Sequence, residues 1–140
     1  MNKLRCSIKI EAVKQLILVA IGGGIGAVAR WQIGGLVLHQ TADWRFPLGT
    51  FVVNVVGCVF AGLLSGLVIK HDMFTPDARM FLFTGVLGGF TTFSAFGVET
   101  VYLIRRQEYR IALSYALLSL ICGIAGLWLA ISVIRKRSST

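Results

Sequence analysis

Charge is scarce in this chain. Asp, Glu, Lys and Arg make up 14% of its 140 residues, against about 25% in ordinary soluble domains, so there is too little polar surface to wrap a water-soluble core. Acidic residues are the scarcest, with six Asp+Glu against fourteen Lys+Arg and a net charge of +8. In a soluble protein such a balance would point to nucleic acid. Here the cations sit in short segments between long uncharged runs, which is the pattern of juxtamembrane Lys and Arg. The three cysteines, Cys6, Cys58 and Cys122, show no Cys-x-x-Cys or Cys/His ligand spacing, which excludes a disulfide framework or a zinc-type site. No nucleophile–base pair, metal cluster or phosphate loop is visible either, which excludes the usual grounds for an enzyme. What the chain has instead is apolar: 56% hydrophobic residues and 16 glycines. That composition is incompatible with intrinsic disorder.

Uncharged runs cover Gln15 to Ala29, Trp31 to Ala42, Phe46 to Ile69, Met80 to Val98 and Ile111 to Ile134. A membrane span needs about 20 apolar residues, so the chain holds four spans and little else. The runs predict helices near 13–38, 46–69, 78–104 and 110–134, joined by short loops at His39 to Arg45, Lys70 to Asp77 and Arg105 to Glu108. Residues 1–12 form a basic N-terminal tail, 13–134 the membrane domain and 135–140 a basic C-terminal tail. Lys3, Arg5, Lys9 and Lys14 resemble the start of a signal peptide, but the following apolar stretch lacks an Ala-x-Ala cleavage site, so the first helix is expected to be retained. An even span count puts both termini on one side. That side carries nine Lys+Arg and the other carries four, Arg45, Arg105, Arg106 and Arg110. The bias favours cytoplasmic termini, yet it comes largely from the tails, and the middle loop alone argues the other way.

Polar residues inside spans face other helices or a cavity, because lipid offers them no partner. In the first span Gly22, Gly26, Arg30 and Gly34 recur every four residues on one face. Arg30 either snorkels to the headgroups or stands in a wet vestibule, where it would concentrate anions. In the second span Asn54 sits on a stripe with Thr50, Gly57, Cys58, Ala61, Gly62 and Ser65. Its amide either bonds a neighbouring helix or points an N–H at a passing anion. The third span contains Gly88-Gly89-Phe90-Thr91-Thr92-Phe93-Ser94-Ala95-Phe96. Gly-Gly and Thr-Thr make a poor helix centre, so either the helix breaks here and frees carbonyls for a hard cation, or the glycines permit close packing. Phe93 and Phe96 share a face, with Phe90 roughly in line, and are either core filler or ring edges presented to a small anion. Glu99, near the end of this span, reads as a solvated or arginine-paired carboxylate. In the fourth span Tyr115, Ser119 and Gly123 are spaced by four, and the hydroxyls could line a path.

Taken together, Gly-Ala-Val-Ala-Arg-Trp at 26–31, Gly-Thr-Phe-Val-Val-Asn at 49–54, and Gly-Gly-Phe-Thr-Thr-Phe-Ser-Ala-Phe at 88–96 followed by Glu99-Thr100 resemble the CrcB/Fluc fluoride-channel family. The resemblance covers about Val13 to Ile134 and leaves out the longer basic N-terminus. It implies an all-α membrane protein with four transmembrane helices, the third broken near Gly88–Thr91, paired as a dual-topology antiparallel homodimer with two pores. It further implies a passive, fluoride-specific channel of the bacterial inner membrane that exports cytoplasmic fluoride. By the same resemblance Asn54, Phe93, Phe96, Thr92, Ser94, Tyr115 and Ser119 lie along or near the pore, and Arg30 in the vestibule. The resemblance also implies that the backbone carbonyls of Gly88 and Thr91 hold a central Na⁺ that is structural and not transported.

The competing reading is a small proton-coupled multidrug exporter, also of four spans. Such proteins need an acidic residue deep in the membrane. The first span has Arg30 and no acid, and Glu99 near a helix end is the one candidate. A membrane scaffold packed through glycine faces would explain the glycines but not Asn54 together with Phe93 and Phe96.

Overall fold

The computed structural model describes residues 2–40, 45–71 and 73–136. Four apolar helical spans make up the fold: Ile8–Val37, Leu48–Lys70, Pro76–Arg105 and Tyr109–Lys136. The first is part of α1, Asn2–Gln40, and the second is α2, Leu48–His71. The third is composite. It opens with the short α3, Pro76–Arg79, passes through a π-helical segment Met80–Leu87 and a last turn α4, Gly88–Phe90, and restarts as α5, Phe93–Arg105. The fourth is α6, Tyr109–Lys136. α1 packs chiefly on the π-helical segment and α4, and α2 chiefly on α6.

Sequence and structure differ at α1. The helix was expected from residue 13 and instead starts at Asn2, because no proline or glycine interrupts Lys3 to Lys14 and a helix already propagating adds each residue at little cost. At 1.5 Å per residue its 39 residues run about 58 Å, far beyond a hydrocarbon core of about 30 Å. The ion pair of Lys14 with Asp77 ties it to α3. Residues 41–44 of the expected first loop lie outside the described residues.

Both ends of the third span are built from local signals. Thr75 caps α3 by accepting from the Ala78 N–H at 3.3 Å, and Pro76 follows at the first helical position. At the other end Gln107 takes φ 62°, with its N–H on the Ile104 carbonyl at 2.9 Å and the Glu108 N–H on Leu103 at 3.0 Å. This is the paired closure of a helix C-terminus, usually reserved for glycine.

The glycines set the interhelical distances. A Cβ on Gly26 would run into the Val86 carbonyl, one on Gly89 into the Gly23 carbonyl, and one on Gly57 into the Thr91 methyl. The small-residue face of α1 therefore divides. Gly22 and Gly26 seal against the third span, whereas Gly34 has open space beside it.

Candidate functional site: a vestibule above a broken helix

The helix break lies at Thr91-Thr92, just past the paired glycines, which continue the helix. Gly88 and Gly89 thus do not themselves unwind; Gly89 provides close packing and the threonines provide the break. Thr91 is extended (φ −83°, ψ 156°), and so is Thr92 (φ −148°, ψ 114°). Each threonine closes one helix end. Thr91 returns both its N–H and its hydroxyl to the Leu87 carbonyl, each at 2.9 Å. The Thr92 hydroxyl accepts the Ala95 N–H at 3.2 Å, which is the N-cap bond of α5.

Asn54 spans the break from α2. Its Nδ2 donates to the Thr92 carbonyl at 3.0 Å, while its Oδ1 accepts the Thr92 N–H at 2.8 Å. The side-chain amide thus pairs with one residue's backbone as a neighbouring strand would. Thr92 N–H, which would close a helical turn on the Gly88 carbonyl, is diverted to Asn54. Of the two readings of Asn54, the interhelical bond is realised, and the second Nδ2 hydrogen has no partner among the described residues.

Above this point lies an open cavity of about 470 Å³, bordered by Arg30, Trp31, Arg45, Phe46, Thr50 and Glu99. It adjoins a smaller one of about 180 Å³ that shares Arg30 and Thr50 and ends at Val53, Thr92 and Ala95. Arg30 therefore borders both cavities, the smaller of which reaches the broken helix at Thr92. Among the described residues it makes no ion pair.

The carboxylate of Glu99 is neither solvated freely nor paired with an arginine, as the sequence had suggested. Thr50 donates its hydroxyl to Oε1 at 2.6 Å and Tyr115 donates to Oε2 at 2.7 Å. This arrangement joins α2, α5 and α6. The spacing of Thr50, Glu99 and Tyr115 gives no local sign of it, since the partners come from three different helices.

The aromatic rings form a file. Phe93 and Phe96 have centroids 5.7 Å apart, Phe96 and Tyr115 5.0 Å, Tyr115 and Phe46 5.3 Å, and Phe46 and Phe51 5.5 Å. Tyr115 is fully buried at 0% exposure, whereas Phe93 is 84% exposed. Phe90 does not join the file, contrary to expectation: it is buried on the far side, against Gly57. Ser94 is exposed, and its hydroxyl lies 3.2 Å from that of Thr92. The Ser119 hydroxyl is buried and unpartnered among the described residues. The structure thus sets Arg30 and Thr92 on the smaller cavity, joins Asn54 to Thr92 and packs Phe96 on Tyr115. Phe93, Ser94 and Gly88 lie on the outer surface of the single chain.

A family model described as CrcB-like protein, Camphor Resistance (CrcB), matches residues 17–131. The chain belongs to the CrcB family. It is similar to a protein of Methylobacillus flagellatus named fluoride-specific ion channel FluC, with 49% identity over 121 residues, covering 86% of this chain and 94% of that one. Proteins of the same name from Novosphingobium aromaticivorans, 45% identical over 118 residues, and Azobacteroides pseudotrichonymphae, 41% over 117, each cover 84% of this chain and are themselves 93% covered. With its four spans, this CrcB chain is a multi-pass bacterial membrane protein. The CrcB match begins at residue 17 and so leaves out the basic start of α1.

Proposed function

We propose that the chain is a passive, fluoride-specific channel that lets cytoplasmic fluoride leave the cell. The observation that carries this reading is the descent from a cationic vestibule at Arg30 to a helix break braced by Asn54, beside the rings of Phe96 and Tyr115. Fluoride is small and strongly hydrated, so a path must replace its water with donors. Arg30 attracts the anion, and apart from Arg30 no Lys or Arg among the described residues borders the smaller cavity. An ion can then leave as readily as it enters. The free Nδ2 hydrogen of Asn54, the hydroxyls of Thr92, Ser94 and Ser119, and the positive ring edges of Phe93 and Phe96 supply the donors, whereas the Tyr115 hydrogen is held by Glu99.

In this reading the working unit is an antiparallel homodimer with two pores. Phe93 at 84% exposure, with Val98 and Val101 also exposed on α5, gives a second copy an apolar face to cover. The carbonyls of Gly88, relieved of its helical donor, and of Thr91, in extended backbone, fit a central structural Na⁺, for which oxygen dipoles are suitable ligands. The reading as a proton-coupled multidrug exporter draws no support from relatives named as fluoride channels, and its one candidate acid already receives two hydroxyl donors.

The test is fluoride efflux from liposomes holding the purified protein, with a potassium ionophore to carry the counter-charge. Rapid fluoride release with negligible chloride release is expected. Equal release of both ions, or proton-dependent transport of organic cations with no fluoride release, would overturn the reading.

A further inference from the structure

Arg30 is not the only cation at the vestibule. Arg45 borders the same cavity of about 470 Å³, at its outer rim beside Phe46 and Pro47. Its side chain is 74% exposed, a degree at which an arginine ordinarily sweeps a wide arc. This one is tethered, because its Nη1 lies 3.4 Å from Oε1 of Glu108, whose side chain is only 15% exposed. Glu108 is itself fixed twice through its backbone: its N–H closes α5 on the Leu103 carbonyl, and its carbonyl accepts the Ala112 N–H at the start of α6. Its second carboxylate oxygen is buried and has no partner among the described residues. Glu108 does not border the cavity, whereas Arg45 does. The pair is thus a dipole with its positive end at the mouth.

We propose that Arg45 is a second anion-gathering residue of the vestibule and that the paired carboxylate of Glu108 damps its charge. This rests on the channel reading above and adds to it where incoming anions are first attracted. Glu99, the carboxylate that borders the cavity, is occupied by Thr50 and Tyr115, which leaves Arg30 and Arg45, among the described residues, as the cations that border it. Electrostatic gathering of this kind acts on entry at low ion concentration and is screened by salt.

The experiment is fluoride flux through the full-length protein in liposomes at subsaturating fluoride, in symmetric potassium gluconate from about 10 mM to about 300 mM, across which the screening length falls from about 30 Å to below 10 Å. Arg45→Gln should lower flux about two- to fivefold at the low-salt end, the size expected of one charge a few ångströms away in water, with the deficit shrinking as salt rises. Arg45→Lys should restore most of the low-salt flux, and Glu108→Gln should raise it. If Arg45→Gln and Glu108→Gln both follow the wild-type salt dependence, the proposal is overturned. It is overturned equally by an Arg45→Gln deficit that is the same at every salt concentration, which would mark a structural role. Should Arg45→Gln not yield folded protein, Arg45→Lys and Glu108→Gln decide alone: the second must exceed wild type at low salt and converge on it at high salt. A wild-type protein that releases no fluoride at all would defeat the channel reading, and this proposal with it.

Discussion

Four substitutions separate packing from ion recognition among single residues. Phe93→Ile and Phe96→Ile keep approximate volume and should lower stability by less than about 1.5 kcal/mol, but they remove the ring edge. Folded protein with flux reduced at least tenfold is the expected result in a liposome assay, and normal flux would remove both rings from the anion path. Asn54→Asp removes the donor to the Thr92 carbonyl and sets a carboxylate against that oxygen. It should abolish flux and lower thermal stability, by about 1–3 kcal/mol for an unmade buried bond. Tyr115→Phe keeps the ring against Phe96 and Phe46 but leaves Glu99 with one hydroxyl donor in place of two. How far such residues can be read from sequence depends on how local their partners are. Asn54 was recognisable as important because an amide in a span is costly and rare. That it pairs with Thr92, 38 residues away, was not recognisable, and neither was the hydroxyl clasp on Glu99, because no periodicity on one helix encodes a partner on another.

For the helices, the expected spans and the interruption of the third were legible because charge-free runs and β-branched pairs are local signals. The exact position of the break was not. Gly-Gly looks weaker than Thr-Thr by helix propensity, but Gly89 is retained in the helix by its close approach to Gly23, and the threonines unwind because their side chains cap the two ends. The same packing gives a contrast within α1. Gly26→Ala meets the Val86 carbonyl and should cost about 1–3 kcal/mol. Gly24→Ala, with nothing within 4 Å, should be neutral or stabilise by up to about 1 kcal/mol through helix propensity. Thermal unfolding in detergent compares the two directly. In the α5–α6 turn Gln107→Gly relieves a left-handed conformation at φ 62° and should raise the melting temperature.

On the scale of the whole molecule, the charge pattern leaves orientation nearly balanced once the tails are set aside, which suits the proposed antiparallel dimer. A cysteine introduced at Met73, in the exposed α2–α3 loop, should be labelled from both sides of the membrane by an impermeant reagent if the dimer is antiparallel, and from one side if it is parallel. Exchange of Na⁺ for a large organic cation during purification should slow fluoride flux without any matching Na⁺ flux; full activity in strictly Na⁺-free solution would remove the proposed ion.

The grip of Asn54 on Thr92 also bears on motion. An interruption inside a span is ordinarily the place where the backbone opens first and amide protons exchange with solvent soonest. Here the Thr92 N–H is held by a side chain from another helix, and the turns on either side are closed by Thr91 and by Thr92 itself. The discontinuity is therefore a fixed joint and not a hinge. Its amide should rank with the slowly exchanging core in a hydrogen–deuterium experiment, and should lose that protection when Asn54 is replaced by leucine.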